Sequence, residues 1–267
     1  MTTDRSLLVT GGAVGIGAEI ARLAAAAGYR VGVLDVDATG AQATAERIDG
    51  AVALGASVSD EDEVESALDA FGTPEVLVNN AGIVRFGPLL DLPSGDFRAV
   101  VDVNLVGTFL CGRATARRMA AAGGGQIVNV ASMNGIAPGP NAGAYASTKA
   151  GIIMLTQQMA LEWSRLGVRV NCVAPGLIDG GMSAPINADP VLRAEREIAV
   201  PRGRLGSTTD IAKAVLWLAS ADSDYVCGQT LLVDGGITMS ILSHLPRPAS
   251  VDGVGDEART PGRSAAS

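Results

Sequence analysis

The sequence predicts an α/β fold in which a parallel sheet of seven strands carries helices on both faces. Short apolar runs rich in Val, Leu and Ile alternate along the chain with longer helix-forming segments, which is the pattern of consecutive β-α-β units. The 267 residues suffice for one large domain, and no internal linker divides them. Aromatic residues make up only 3% of the chain, so the core must consist of Ala, Val, Leu and Ile.

The first β-α unit contains a glycine-rich turn. A strand is predicted over residues 7–9, and an Ala-rich helix is predicted to end at residue 27. The motif Thr10-Gly-Gly-Ala-Val-Gly-Ile-Gly17 follows the strand and leads into the helix. Gly11, Gly15 and Gly17 permit a tight turn, close approach of the backbone to a pyrophosphate, and packing of the helix on the sheet. Free N–H groups at the helix start then face the phosphates. This context predicts a Rossmann-type, doubly wound fold that binds a dinucleotide.

The second predicted strand, residues 31–35, ends in Asp35. A carboxylate at this position accepts hydrogen bonds from the adenosine ribose hydroxyls and repels a 2′-phosphate. Its neighbours Leu34, Val36 and Asp37 bring no positive charge. We therefore expect NAD(H) as the cofactor in preference to NADP(H). The alternative is an exposed aspartate at a strand end without a role in binding.

The following units continue the alternation of helix and strand. Four elements are predicted: a helix over 39–48, a strand over 51–56, a helix from an N-cap at Ser59 to about Gly72, and a strand over 76–79. The last of these strands runs into Asn80-Ala81-Gly82, where small residues allow the backbone to pass close to a ligand. In a sheet of this kind, ligands bind outside the carboxyl ends of the strands.

The predicted chemistry lies in the middle of the chain. A buried strand over residues 127–130 leads through Ser132 into a loop rich in Gly and Pro, and a helix over 144–165 follows. Tyr145 and Lys149 then lie one helical turn apart on the same face. An ammonium group stabilises a phenolate, so we expect Lys149 to lower the pKa of Tyr145 toward neutral pH. Ser132 would orient a substrate oxygen against Tyr145. The alternative is an exposed helix pair and a turn serine.

The remaining elements complete the sheet. They are predicted as a helix over 105–122, a strand over 168–173, a helix over 208–220 and a strand over 230–233. Residues 177–204 contain Gly and Pro without a sustained strand period and are interpreted as a mobile substrate lid. We thus expect one catalytic domain over residues 1–240. Residues 241–267 are rich in Pro, Gly, Ser and Ala and are expected to be flexible or to contact a neighbouring subunit.

Composition restricts the class of partner. The formal net charge is -8 and the pI about 4.7, which disfavours nucleic acid and anionic membranes and favours a small-molecule substrate. We find no secretory signal and no apolar run near the ~20 residues that cross a bilayer, so a cytoplasmic location is expected. Cys111, Cys172 and Cys227 are far apart and are predicted to be structural thiols without a metal. His244 is the only histidine, which disfavours a Ser-His-Asp hydrolase.

Together these motifs resemble those of the classical short-chain dehydrogenases/reductases. The matching elements follow the order and spacing of that family over about residues 5–238, and they are Thr10-Gly-x-x-x-Gly-Ile-Gly17, Asn79-Asn-Ala-Gly82, Asn104, Ser132, Tyr145-x-x-x-Lys149, Pro175-Gly176 and Gly228-Gln-Thr-Leu-Leu-Val-Asp-Gly-Gly236. The sequence departs from the family at Ser57, where an Asp beside the adenine is usual, and at Gly180, where a Thr commonly contacts the nicotinamide amide.

The resemblance implies a role for each matching residue. Tyr145 would be the catalytic acid or base, Lys149 would lower its pKa and bind the nicotinamide ribose, Ser132 would position the substrate oxygen, and Asn104 would support a proton relay through water. Contacts with NAD are implied for Gly11, Gly15, Ile16, Gly17, Asp35, Val58, Asn80, Ala81, Gly82, Tyr145, Lys149, Pro175, Gly176 and Ile178. The predicted helices over 105–122 and 144–165 are implied to pair across a four-helix interface, which indicates a homotetramer. The alternative is that both helices simply pack within the subunit.

The leading hypothesis is hydride transfer between a nicotinamide and a secondary alcohol or ketone. Substrate contacts are expected from Ser132, Tyr145 and a mostly apolar set that favours a hydrophobic or alicyclic alcohol: Val84, Phe86, Met133, Ile136, Leu177, Met182 and Ile186. Arg85 near the pocket mouth could instead meet a carboxylate or an acyl-carrier phosphate, so 3-oxoacyl thioester reduction is the second candidate. A binding protein without catalysis is disfavoured, because it does not need the complete Ser132, Tyr145 and Lys149 set.

Overall fold

The strands follow the apolar runs of the sequence. The computed structural model of the protein describes residues 5–240, and within them the strands are β1 Ser6–Thr10, β2 Arg30–Asp35, β3 Val52–Gly55, β4 Val76–Asn79, β5 Gly125–Val130, β6 Val168–Pro175, β7 Ile178–Asp179, β8 Gly206–Ser207 and β9 Thr230–Val233. Seven of these form one parallel sheet in the order β3-β2-β1-β4-β5-β6-β9, while β7 and β8 form a separate pair. The predicted α/β Rossmann-type sheet is confirmed.

The sheet changes direction at its centre. From β1 the chain proceeds outward through β2 to β3, and it then returns to β4, which pairs with the other side of β1. Leu7 of β1 is thus opposite Val31 on one side and Val76 on the other. A crevice opens at the carboxyl ends of β1 and β4, which is the position where doubly wound sheets bind ligands.

Helices cover both faces of the sheet. Among the described residues they are α1 Gly15–Ala26, α2 Ala38–Ala45, α3 Glu61–Phe71, α4 Ser94–Val101, α5 Gly107–Ala122, α6 Tyr145–Trp163, α7 Ala184–Asn187, α8 Pro190–Ala199 and α9 Thr208–Leu218, with a π-helical turn at Asp102–Val106 between α4 and α5. One core layer contains Ile20 and Val215, and the other contains Leu68 and Met159. No helix within residues 5–240 is long and apolar enough to cross a membrane.

Several predicted boundaries differ from the structure. The N-cap of α3 is Asp60 and not Ser59, because the Asp60 carboxylate accepts a hydrogen bond from the Glu63 N–H at 3.0 Å, whereas the Ser59 hydroxyl pairs with that of Ser57. Helix α2 ends at Ala45, short of residue 48. Strand β6 continues past residue 173 to Pro175. The predicted extension, residues 241–267, lies outside the described residues.

The segment predicted as an irregular lid, residues 177–204, contains regular structure. Strand β7 begins it, helices α7 and α8 follow, and the chain then leads into β8, which pairs with β7. Helix α8 starts where Asp189 accepts hydrogen bonds from the N–H groups of Val191 and Leu192. The side chain of Arg193 bonds to Asp179 at 2.7 Å, which ties α8 to β7. Polar contacts therefore order this segment where apolar periodicity is lacking.

Candidate active site

A cavity of about 420 Å³ opens at the crevice between β1 and β4. It brings together most of the residues that the sequence predicted for cofactor binding and catalysis, and these lining residues are Gly11, Gly15, Ile16, Asp35, Val58, Asn80, Ala81, Gly82, Ser132, Tyr145, Lys149, Pro175, Gly176 and Ile178. They come from the carboxyl ends of the first six strands or the loops that follow them, from the starts of α1 and α6, and from β7. Elements far apart in sequence thus converge on one elongated cavity.

The glycine-rich turn presents backbone to this cavity. Gly11 and Gly15 have φ values of 65° and 62°, in the left-handed region that favours glycine. A Cβ on Gly11 would lie 2.7 Å from the Ala81 Cα, so the turn packs tightly on the end of β4. Helix α1 begins here, and its N-cap Val14 has no side-chain hydrogen bond to the free N–H groups. This arrangement fits the pyrophosphate of a dinucleotide.

Gly17 packs tightly beside the cavity and is not among the residues that line it. A Cβ at this position would lie 2.1 Å from the Gly11 carbonyl oxygen and 2.6 Å from the Asn80 side-chain nitrogen. The absence of a side chain therefore allows α1 to pack against the turn. Its contact with the cofactor stays a prediction.

Asp35 lines the cavity at the carboxyl end of β2. Its Oδ2 accepts a hydrogen bond from the Ala13 N–H and its Oδ1 accepts one from the Asp37 N–H, both at 3.0 Å. One of these hydrogen bonds comes from the glycine-rich turn and the other from the second residue after β2. Together they orient the carboxylate. Ser57 lies at the same end, where its N–H donates to the Glu63 carboxylate at 2.7 Å. The position is suited to an adenosine ribose.

Ser132, Tyr145 and Lys149 meet at the other end of the cavity. Ser132 follows β5, where its hydroxyl accepts a hydrogen bond from the Asn134 N–H at 3.1 Å. The side chain of Tyr145 lies beside that of Ser132 at this cavity. The Lys149 Nζ donates to the Val130 carbonyl at 2.8 Å and lies 5.5 Å from the centroid of the Tyr145 ring. The three side chains therefore form one cluster.

Burial dominates the electrostatics of this cluster. Lys149 is 2% exposed, and the loss of hydration lowers its pKa to about 8. Burial also raises the pKa of Tyr145, and the neighbouring Ser132 hydroxyl opposes that increase. The pKa of Tyr145 therefore lies above its ordinary value in this structure, and the lowering of this pKa by Lys149 stays a prediction. Both groups are driven toward their neutral forms, because each is removed from water more completely than a helix-surface pair would be.

Asn104 lies in the π-helical turn at Asp102–Val106 and is completely buried. Its Oδ1 accepts a hydrogen bond from the Ile83 N–H at 2.8 Å, and its Nδ2 donates to the Ile83 carbonyl at 3.0 Å. The same Nδ2 is 3.1 Å from the Thr148 hydroxyl, which belongs to the first turn of α6. Asn104 thus joins the end of β4 to the helix that carries Tyr145.

Two functional threonines were not predicted. The Thr10 hydroxyl accepts hydrogen bonds from the N–H groups of Asn80 and Ala81, both at 3.1 Å, and so joins the ends of β1 and β4. Thr148 positions Asn104 as described above. Both side chains are almost fully buried. A hydroxyl at a strand end or on a buried helix face is the only sequence signal, and it does not identify the partner.

Only some of the predicted substrate residues line the main cavity. Met182 lines the main cavity with Ser132 and Tyr145. Leu177 instead lines a separate cavity of about 170 Å³, because the chain turns at Pro175-Gly176 and Ile178 lies between the two spaces. Phe86 is 64% exposed. Four others also lie outside the lining of the main cavity: Val84, Met133, Ile136 and Ile186.

The two glycines at the start of the lid lie against the glycine-rich turn. Gly180 and Gly181 both line the main cavity. A Cβ on Gly15 would lie 3.0 Å from the Gly181 Cα, and both lid glycines have positive φ values, 145° and 55°. A side chain at Gly180 would approach Thr208 to 3.1 Å. At position 180 a side chain would therefore meet the Thr208 side chain, whereas the close approach of backbone to the glycine-rich turn is made by the neighbouring Gly181.

Comparison with known proteins gives consistent matches over most of the chain. A family described as "Enoyl-(Acyl carrier protein) reductase" matches residues 11–238. The chain is 39% identical to 3beta-hydroxysteroid dehydrogenase 1 of Eggerthella lenta, over 88% of this chain and 94% of that protein. It is 40% identical to cis-4-hydroxycyclohexanecarboxylate dehydrogenase of Sinomonas cyclohexanicum, over 88% and 97%.

Solved structures match equally well. A gluconate 5-dehydrogenase from Burkholderia cenocepacia, in complex with NADP and tartrate, aligns with a TM-score of 0.85 at 36% identity, over 89% of this chain and 96% of that one. A 3-oxoacyl-[acyl-carrier protein] reductase from Brucella melitensis with bound NAD aligns with a TM-score of 0.82 at 35% identity, over 88% and 92%. The family match over residues 11–238 includes every residue named for the cavity.

Proposed function

The chain belongs to the short-chain dehydrogenase/reductase family, and from this premise we propose that it is an NAD(H)-dependent oxidoreductase that interconverts a secondary alcohol and a ketone. One observation carries the proposal. Ser132, Tyr145 and Lys149 line one cavity, and the Lys149 Nζ lies 5.5 Å from the centroid of the Tyr145 ring. Two hydroxyl groups and an amine in this arrangement can bind a substrate oxygen and move its proton.

The residues have separate tasks in alcohol oxidation. A bound nicotinamide nucleotide supplies the hydride acceptor. Ser132 donates a hydrogen bond to the substrate oxygen, and the Tyr145 phenolate oxygen takes the hydroxyl proton. Because burial raises the Tyr145 pKa, the phenolate needs a nearby positive charge. Lys149, with its pKa at about 8, is largely protonated at pH 7 and has N–H groups beyond the one that bonds to Val130. In ketone reduction, Tyr145 returns the proton.

Asp35 supports the preference for NAD(H). Its carboxylate is fixed by two backbone N–H groups and lines the cavity near Val36, which is exposed and uncharged. A 2′-phosphate at this position would meet a negative charge without a compensating cation. The solved relatives themselves differ, since one contains NADP and the other NAD. The preference proposed for this chain therefore rests on Asp35.

The substrate is proposed to be a hydrophobic or alicyclic alcohol. Ile83 and Met182 provide apolar surface beside Ser132 and Tyr145. Two relatives carry names that specify alicyclic alcohols, a 3beta-hydroxysteroid and a hydroxycyclohexanecarboxylate. The second candidate is 3-oxoacyl thioester reduction, which the Brucella melitensis enzyme represents. Arg85 is the residue that favours it, because a thioester carrier brings phosphate groups to the pocket mouth.

A panel of secondary alcohols with NAD⁺ tests the proposal through the absorbance of the reduced cofactor. We expect turnover of at least one cyclic alcohol, and a higher kcat/KM with NAD⁺ than with NADP⁺. A 3-oxoacyl thioester assayed with NADH and NADPH provides the contrast. Thioester reduction that greatly exceeds alcohol oxidation, together with NADPH preference, would favour the second candidate. Tight NADH binding without turnover of any alcohol or ketone would indicate a binding protein.

We also propose that the enzyme is a homotetramer in which α5 and α6 form a four-helix interface. Both helices leave large apolar side chains exposed, and Leu161 of α6 is 78% exposed while Met154 is 63% exposed. Phe109 on α5 is partly exposed and lies beneath the Arg113 guanidinium. An apolar stripe of this kind on two neighbouring helices is typical of a subunit contact.

A further inference from the structure

The segment 83–87 leads outward from the catalytic cavity along a fixed path. Ile83 lines the cavity, and its backbone N–H and carbonyl both bond to the side chain of Asn104, at 2.8 Å and 3.0 Å. Asn104 is completely buried. The chain therefore leaves the cavity from a rigid anchor, and Arg85 follows directly.

The other end of this segment is attached to the loop that precedes Tyr145. The Gly87 N–H donates to the Asn141 carbonyl at 2.9 Å. A Cβ on Gly143, whose φ is 56°, would lie 2.4 Å from the Arg85 carbonyl oxygen. The Arg85 backbone thus lies against the residues immediately before Tyr145. Arg85 is thus held between Ile83, which lines the cavity two residues before it, and the loop that leads into Tyr145.

The Arg85 guanidinium keeps unused hydrogen-bond donors. Within residues 5–240, its Nη1 donates to the Val84 carbonyl at 3.3 Å, and its Nε lies 3.9 Å from the Asp96 Oδ1, which is beyond hydrogen-bonding distance. The two side chains are 52% and 45% exposed. By contrast, Arg204 bonds to Asp210 at 2.8 Å and 3.2 Å. Asp96 therefore attracts the Arg85 guanidinium without occupying its fork of N–H groups.

We propose that Arg85 is a specificity-determining residue that binds a carboxylate on the substrate. The charged residues that line the main cavity are Asp35 and Lys149, and the proposed function already assigns both. A second ionic group on the substrate would meet Arg85 at the mouth, where a planar guanidinium can bind a carboxylate through two parallel hydrogen bonds. This inference rests on the proposed alcohol oxidation, and it narrows the substrate to an alicyclic hydroxy acid.

The geometry also makes Arg85 suitable for substitution. Its only ion pair among the described residues is long and half exposed, and such pairs contribute little to stability. Removing the guanidinium should therefore leave the fold and the reaction of neutral alcohols intact. Arg98 provides a matched control, because it is an exposed arginine on α4, the helix that also carries Asp96.

The first test compares an anionic and a neutral substrate of the same shape. Kinetics with cis-4-hydroxycyclohexanecarboxylate and its carboxamide are measured for the wild type, Arg85→Gln, Arg85→Lys and Arg98→Gln. We expect Arg85→Gln to lower kcat/KM for the carboxylate about 10- to 100-fold, as for loss of a charged hydrogen bond, and to change the carboxamide rate only slightly. Arg85→Lys should give an intermediate loss, and Arg98→Gln should behave as the wild type.

The second test is independent of turnover. Calorimetry measures binding of cyclohexanecarboxylate and cyclohexanecarboxamide to the full-length enzyme with NADH, and the carboxylate affinity should fall in Arg85→Gln and at high salt. If the enzyme oxidises neutral alcohols, but Arg85→Gln and Arg98→Gln show the same carboxylate kinetics and the same carboxylate affinity, the inference about Arg85 is overturned. The proposed function would still stand in that case. Absence of any alcohol oxidation, with Arg85-dependent carboxylate binding, would refute the proposed function instead. If Arg85→Gln impaired only acetoacetyl-CoA reduction, a carrier phosphate would replace the carboxylate as its partner.

Discussion

Substitution of Lys149 by methionine tests the electrostatics of the catalytic cluster. Burial lowers the pKa of Lys149 from 10.5 to about 8, while the Nζ remains hydrogen-bonded to Val130. A basic group with a lowered pKa binds fewer protons in the folded protein than in the unfolded chain. The free energy of unfolding must then increase with pH between about 8 and 10.5, and the full penalty of the buried charge is present below pH 8.

The magnitude follows from the shift in pKa. Each pH unit inside this window contributes about 1.4 kcal/mol, and less near its ends. Integrated from pH 7 to pH 9.5, the wild type should gain about 2 kcal/mol of unfolding free energy that Lys149→Met lacks. Buried groups whose pKa does not depend on Lys149, such as Cys111 with its pKa raised to about 12, are present in both proteins, so their contributions largely cancel in the difference.

Urea unfolding followed by circular dichroism at the two pH values measures this difference. The unfolding free energy of the wild type minus that of Lys149→Met should increase by about 2 kcal/mol from pH 7 to pH 9.5. This change is expected whichever protein is the more stable at pH 7. Parallel pH dependences would refute the reasoning, because they would show that the Lys149 pKa does not change on folding.

Three further changes have expected outcomes. Asp35→Ser should raise kcat/KM for NADP⁺ relative to NAD⁺ about 10-fold or more by removing the repulsion of the 2′-phosphate; initial rates with both nucleotides measure this, and a constant ratio would contradict it. Gly17→Ala should cost about 1–3 kcal/mol in thermal unfolding because the new Cβ would lie 2.1 Å from the Gly11 oxygen, whereas Gly95→Ala, with no atom within 4 Å, should be neutral or stabilising. Leu161→Glu should reduce the mass measured by light scattering from that of a tetramer; an unchanged tetramer would exclude this residue from the interface.

The strands of the main sheet could be predicted because buried parallel strands are short, continuous apolar runs. The β4 run at Val76–Asn79 is an example, and its predicted limits match the structure. Pro175 shows where this reasoning fails. Proline cannot donate to a sheet hydrogen bond, and the predicted strand ends at residue 173, yet Pro175 is the last residue of β6, opposite Val233. At a strand end, the missing N–H costs little.

The regular structure of residues 177–204 could not be predicted because it depends on distant partners. Ile178 and Asp179 pair with Gly206 and Ser207, and a strand of two residues has no detectable period. The ion pair of Arg193 with Asp179 likewise joins a residue that precedes α7 in the sequence to one that follows it. Local sequence patterns record neither contact.

The catalytic cluster was predictable because its geometry is local, but its charge state was not. The helical spacing of Tyr145 and Lys149 places both on one face, and that expectation needs no tertiary structure. Their pKa values instead depend on removal from water by the surrounding strands, which spacing does not reveal. Asn104 was identified through family resemblance alone, because the π-helical turn that orients it has no signature in the residues 102–106.

Substitution of Tyr145 by phenylalanine tests the central assignment most directly. The change removes one hydroxyl group, which lies beside Ser132 at the cavity, and retains the ring near Lys149. Turnover of the best alcohol from the panel should fall by about 100-fold or more, since general acid–base catalysis contributes about that factor, while the affinity for NADH, measured by fluorescence titration, should remain close to that of the wild type. A variant that binds NADH normally and retains near wild-type turnover would show that Tyr145 does not transfer the proton.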